Sequence, residues 1–189
     1  MAMAATSSAL LGALLFLSLF SAVVHCSGAG GSSLDLLCGN LGGYYVTPEL
    51  CTSALCGADP SACRNARSKP ELAALATSLA AANATATKAS LESALGHGAG
   101  RDAEATKGMQ SCLQLYAGAV PALQWAAQAV AAGRYRGAGQ VLQAAVYIGS
   151  GCTGMAGQAA LPRESDRFSY MAIVAHAVVA SMYPGYNML

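Results

Sequence analysis

Asp102 to Ala132 reads DAEATKGMQSCLQLYAGAVPALQWAAQAVAA. Within it Met109, Cys112, Leu113, Tyr116, Val120, Leu123, Ala127 and Val130 recur at intervals of three and four. That period places them along one side of a helix for about three heptads. Asp102 and Glu104 stand at its start, where acids complement the positive end of the helix dipole. A helix start accounts for this pair of carboxylates better than acid–base chemistry does. Pro121 lies in the interior, where a missing N–H removes one backbone bond and a kink is expected.

The pattern extends in both directions. Upstream, Ser68 to Leu95 reads as a second long helix, with Pro70 near its first position and Glu71 in its first turn. Leu72, Leu75, Leu79, Ala82, Ala86 and Ala89 are its expected apolar stripe. Gly96 to Gly100 (GHGAG) separates the two helices. Downstream, Gly133 to Gly139 reads as a glycine-rich turn carrying Arg134 and Arg136. Val141 to Ile148 is apolar, and its period fits a helix or a strand. Gly149 to Gly157 is expensive for a helix at about 1 kcal/mol per glycine, so a flexible helix end bearing Cys152 is expected. Glu164 to Met182 is a last helix with Phe168, Met171, Ala175, Val178 and Met182 on one face. No stretch shows convincing alternation of period two. The predicted fold is all-α: an antiparallel four-helix bundle with an N-terminal disulfide-stapled helical hairpin extension.

Composition bounds the function. The chain has 189 residues, 10% of them charged, and a formal net charge of +1. It is a prior for one domain. Near-cancelling charge argues against nucleic acid, which requires a basic face. The hydrophobic share is 54% with only 6% aromatics, so most of it is alanine and leucine, both good helix formers.

Ala9 to Val24 is an uncharged run of sixteen residues. A membrane span requires about 20, so the run reads as the core of a secretory signal peptide rather than an anchor. Either Val24 and Cys26, or Cys26 and Gly28, supply the small residues of a cleavage site. The expected organisation is a signal peptide over 1–28, a Gly/Ser lead-in over 29–33, a helical bundle over 34–182 and a short tail over 183–189. Six cysteines then remain: Cys38, Cys51, Cys56, Cys63, Cys112 and Cys152. An even number in an exported chain fits a disulfide framework, although fifteen pairings are open. Asn83-Ala84-Thr85 is an N-glycosylation sequon. No membrane contact is expected after signal cleavage.

Few residues carry chemistry. Gly149 to Gly154 matches G-x-G-x-x-G, but the apolar second strand and acid of a dinucleotide site do not follow. His97 and His176 are the mature histidines, and no H-E-x-x-H is present. Cysteines held as disulfides are not metal ligands, so neither metal nor cofactor is expected. Ser150 and His176 have the types of a nucleophile and its base, but Ile148 stands where a nucleophile elbow requires glycine. Tyr44, Tyr45, Arg134, Tyr135 and Arg136 are candidate carbohydrate or partner contacts. No catalytic residue is assigned, and the chain reads as a binder rather than an enzyme.

The cysteine contexts resemble those of the plant invertase and pectin methylesterase inhibitor family, from about Leu34 to Met182. Cys38 is followed by Thr47-Pro48-Glu49-Leu50-Cys51, where the family has Tyr-Pro-x-x-Cys at a shorter spacing. Leu55 and Pro60 follow as family members have them. Cys112, Tyr116, Ala119, Val120 and Leu123 reproduce the pattern Cys-x-x-x-Tyr-x-x-Ala-Val-x-x-Leu, and Ala144-Ala145-Val146 precedes Cys152. The resemblance implies a secreted bundle with Cys38–Cys51 and Cys112–Cys152 bridges, which leaves Cys56 and Cys63 for a third. It implies a one-to-one complex with a pectin methylesterase, or alternatively with an acid invertase, in the plant apoplast. The family's acids around the third and fourth cysteines are missing here. So is the Pro-Lys-Phe motif associated with invertase inhibitors, which tilts the expectation toward pectin methylesterase. A non-inhibitory cell-wall recognition protein on the same scaffold is the remaining alternative.

Overall fold

Helix starts are written locally in this chain. Thr47, Asp59, Ser68 and Asp102 each cap a helix, their side-chain oxygens accepting backbone N–H groups of the first turn. At three of these starts proline follows in the first turn, where its missing N–H costs nothing. Ser32 and Asp35 form a reciprocal capping box ahead of the first helix. The computed structural model describes residues 31–57, 59–97 and 102–183, and among these it holds helices and turns but no strand. The signal peptide, residues 29 and 30 of the lead-in and most of the tail expected from the sequence lie outside the described residues, whereas Ser32 and Ser33 of the expected lead-in cap and begin the first helix.

Among the described residues seven α-helices result: α1 (Ser33–Gly39), α2 (Pro48–Cys56), α3 (Pro60–Asn65), α4 (Lys69–Gly96), α5 (Ala103–Ala131), α6 (Tyr135–Ala156) and α7 (Arg163–Ala180). Helices α4 and α5, of 28 and 29 residues, are about 42 and 44 Å long at 1.5 Å per residue. Only Ala132 to Arg134 join α5 to α6. So short a link cannot cross the bundle, and the neighbours run antiparallel. Helix α4 packs on α5, α5 on α6, α6 on α7 and α7 back on α4, which closes a four-helix ring. Helices α1 to α3 pack on the α4–α7 side. Leu41, Val46, Leu55 and Cys63 are fully buried there and continue the core of the bundle.

Two local expectations change. In α4 the buried series is Leu72, Ala73, Ala76, Thr77, Ala80, Ala81, Ala84, Thr87 and Leu91, whereas Ala82, Ala86 and Ala89 are exposed. Ten of its 28 residues are alanine, so several helical series compete and sequence alone does not rank them. Helix α6 runs unbroken from Tyr135 through the glycine-rich stretch to Ala156. The predicted turn over Gly133 to Gly139 shrinks accordingly to its first residues, and the flexible end over Gly149 to Gly157 is helical up to Ala156. Gly157, at φ 76°, ends the helix in a backbone conformation that side chains disfavour. Helix α5 continues through Pro121. The carbonyl that the proline leaves without an N–H belongs to Ala117, an exposed residue, where water can serve it.

Two buried threonines are served by backbone. Thr77 donates its hydroxyl to the Ala73 carbonyl at 2.8 Å, and Thr87 Oγ1 lies 2.8 and 3.0 Å from the carbonyls of Asn83 and Glu164. Tyr116 stacks edge-on to Phe168, with ring centroids 5.1 Å apart. Burial raises the Tyr116 phenol above its ordinary pKa, with the neighbouring Ser165 and Thr87 hydroxyls opposing that shift.

Candidate functional site: two surface concavities

The cysteines meet in pairs. Cys38 and Cys51 have sulfurs 2.00 Å apart, and Cys56 and Cys63 have theirs 2.01 Å apart. Cys112 on α5 and Cys152 on α6 face each other with Cα atoms 5.2 Å apart. The first two pairs close the α1–α3 segment, and the third joins two long helices.

The remaining sequence candidates take mostly structural positions. Asp102 caps α5, accepting the Glu104 N–H at 3.4 Å. His97 caps the end of α4, with Nδ1 placed 2.7 Å from the Ser93 carbonyl to donate to it. Ser150 donates to the Tyr147 carbonyl of its own helix at 3.2 Å. His176 is half-buried in α7, and burial depresses its pKa. Of the glycines in the G-x-G-x-x-G match, Gly149 lets α6 approach Ser169, whereas Gly151 and Gly154 meet nothing within 4 Å. Among the described residues no group of histidine, cysteine, aspartate or glutamate is placed to hold a metal. Tyr44 is half-buried, while Tyr45, at φ 59°, is 89% exposed. Arg134 and Arg136 are exposed around half-buried Tyr135, where α6 begins.

Two concavities shape the surface. The first is an apolar groove of about 250 Å³ between α5 and α6, lined by Leu115, Ala119, Ala122, Val141, Ala144 and Ile148, with Leu123 and Ala145 at its floor. Residues 115, 119 and 122 recur at helical spacing, as do 141, 144 and 148, so two apolar stripes flank the groove. The same two helices expose Trp125 and Tyr147. Leu115-Ala119-Ala122 is a second series in α5, offset from the core series. That offset was the available sequence signal, and the core reading passed over it. The second concavity, of about 400 Å³, lies where α2, α4 and α7 meet and includes Ser53, Asn83, Arg167 and Tyr170. No sequence spacing announces it, because three separate helices build it.

These features define a class: a disulfide-joined helical bundle whose surface offers grooves for contact. The model of the plant invertase/pectin methylesterase inhibitor family matches residues 32–178, and the chain belongs to that family. The match takes in α1 to α6 and α7 as far as Val178. No curated protein and no solved structure matches the chain. Members of the family are proteinaceous inhibitors rather than enzymes. No helix among the described residues is long and apolar enough to cross a membrane.

Proposed function

We propose that this protein is secreted and inhibits a pectin methylesterase by a one-to-one complex that covers the substrate cleft. The family match over residues 32–178 carries this reading. The missing Pro-Lys-Phe motif favours pectin methylesterase over acid invertase as the target. The docking surface is the α5–α6 face, where Leu115 lines an apolar groove and the same two helices expose Trp125 and Tyr147. Exposed aromatic residues beside an apolar centre are the typical anchors of protein interfaces. A face carried on two long helices and tied by a disulfide loses little freedom on docking, which favours affinity. Inhibition then arises from occlusion, and no bond is made or broken.

The test adds the purified, disulfide-bonded protein to pectin methylesterase and follows methanol release. A parallel assay follows sucrose hydrolysis by acid invertase. Inhibition of the first enzyme alone is expected. Inhibition of invertase alone reassigns the target. Inactivity toward several enzymes of both kinds at micromolar concentration, with retention on cell-wall material, favours a recognition role instead.

A further inference from the structure

Arg167 and Tyr170 stand three residues apart on α7, on the concavity that α7 shares with α2 and α4. Its volume of about 400 Å³ falls within the range of small-molecule sites. The polar groups there are partly committed to backbone. Asn83 Nδ2 donates to the Leu79 carbonyl at 2.9 Å, and Ser53 Oγ donates to the Leu50 carbonyl at 3.0 Å. The Ser53 hydroxyl then has only acceptor capacity to offer a ligand, while Asn83 offers its Oδ1 as acceptor and keeps one N–H as donor. Arg167 contributes the opposite: donors in a planar fork and a permanent positive charge. It forms no ion pair with any described residue. Tyr170 is 56% exposed and supplies an aromatic surface, while Leu79 and Met171 contribute apolar wall.

The complementary ligand combines a carboxylate for the guanidinium, hydroxyl donors for two acceptors and a C–H face for the tyrosine ring. We propose that this concavity binds a uronic acid unit, free or within an oligosaccharide. A neutral hexose leaves the Arg167 charge unmatched, and inorganic phosphate has no C–H face to set on Tyr170. The proposal is independent of enzyme inhibition, since none of its residues lies on the α5–α6 groove.

Asn83 belongs to the Asn-Ala-Thr sequon, and a glycan there would stand in the concavity. Thr85→Ala removes the sequon while keeping Asn83, so that protein is the parent for the test. Titration calorimetry compares galacturonic acid, its unesterified trimer and the fully methyl-esterified trimer. The unesterified trimer is expected to bind at least about tenfold more tightly than the ester. Arg167→Gln is expected to weaken it about tenfold or more, the scale of one charge-assisted contact, and Tyr170→Ala is expected to weaken it through loss of the aromatic surface. Both side chains are exposed, so the circular dichroism and melting temperature of each variant should match the parent. Monomer binding that depends on Arg167 supports a pocket for a single unit, and binding of the trimer alone supports a site for a chain. Absence of binding at millimolar ligand, equal binding of the ester, or indifference to Arg167→Gln overturns the proposal. Methanol release with the same variants is read separately, so failure of either reading leaves the other standing.

Discussion

Gly108 of α5 lies against the backbone carbonyl of Met155 on α6, so close that a Cβ on Gly108 would overlap it. Gly108 precedes Cys112 by one turn, and Met155 follows Cys152 by almost one turn. The bridge and the glycine therefore mark one line of close approach between the two helices. Backbone at such a contact cannot rotate aside as a side chain can. Gly108→Ala is expected to destabilise the fold by about 1–3 kcal/mol, the range of overpacked cores. Gly151→Ala and Gly154→Ala meet open space inside the same helix and are expected to stabilise by about 0.5–1 kcal/mol each. Thermal melts of the three variants check both signs.

Cross-link loops differ in length, and their contributions should rank accordingly. The sequence separations are 40 for Cys112–Cys152, 13 for Cys38–Cys51 and 7 for Cys56–Cys63. In the chain-entropy treatment these correspond to about 4, 3 and 2.4 kcal/mol of restricted unfolded state. Paired Cys→Ser variants, unfolded in denaturant, should lose stability in that order. The reverse order would show that effects on the native state outweigh the entropy.

His176 gives stability a pH dependence. Burial holds its folded pKa below the ordinary 6.5. Between those two values the unfolded chain binds more protons than the native one, so stability rises with pH there. The His176 contribution is complete above about pH 7, declines as the pH falls through about 6.5, and stops changing below the folded pKa. Melting temperature measured from pH 7.5 to 5 should fall, and His176→Gln should flatten the fall. An unchanged slope in the variant assigns the effect elsewhere.

Docking through the α5–α6 face makes its own demand. Tyr147→Ala and Leu115→Asp change exposed side chains, so both proteins should melt close to the parent. Each is expected to weaken inhibition of pectin methylesterase by about tenfold or more, as loss of an interface anchor does. Few charges are available for steering, with 10% of the sequence charged and a net charge of +1. Inhibition should therefore change little between low and physiological salt. A steep salt dependence, or full inhibition by both variants, places the contact on another surface.

Local chemistry is what could be read without coordinates. Ser68 with Pro70, and Asp102 with Glu104, announced helix starts because capping and missing N–H groups act within one turn. The core face of α5 was legible because large side chains such as Met109, Tyr116 and Leu123 stand out from alanine at helical spacing. The bundle itself followed from long apolar stripes and short links. The inward side of α4 did not, since alanines satisfy several faces equally and only the positions of α5 and α7 choose among them. The continuity of α6 was hidden for a related reason: glycine's cost is local, but packing against α5 and α7 and the bridge at Cys152 offset it from a distance. Helix ends and side-chain periodicity are properties of neighbours in the chain. The inward face of an alanine helix, the tolerance of glycines and a concavity assembled from α2, α4 and α7 are properties of neighbours in space.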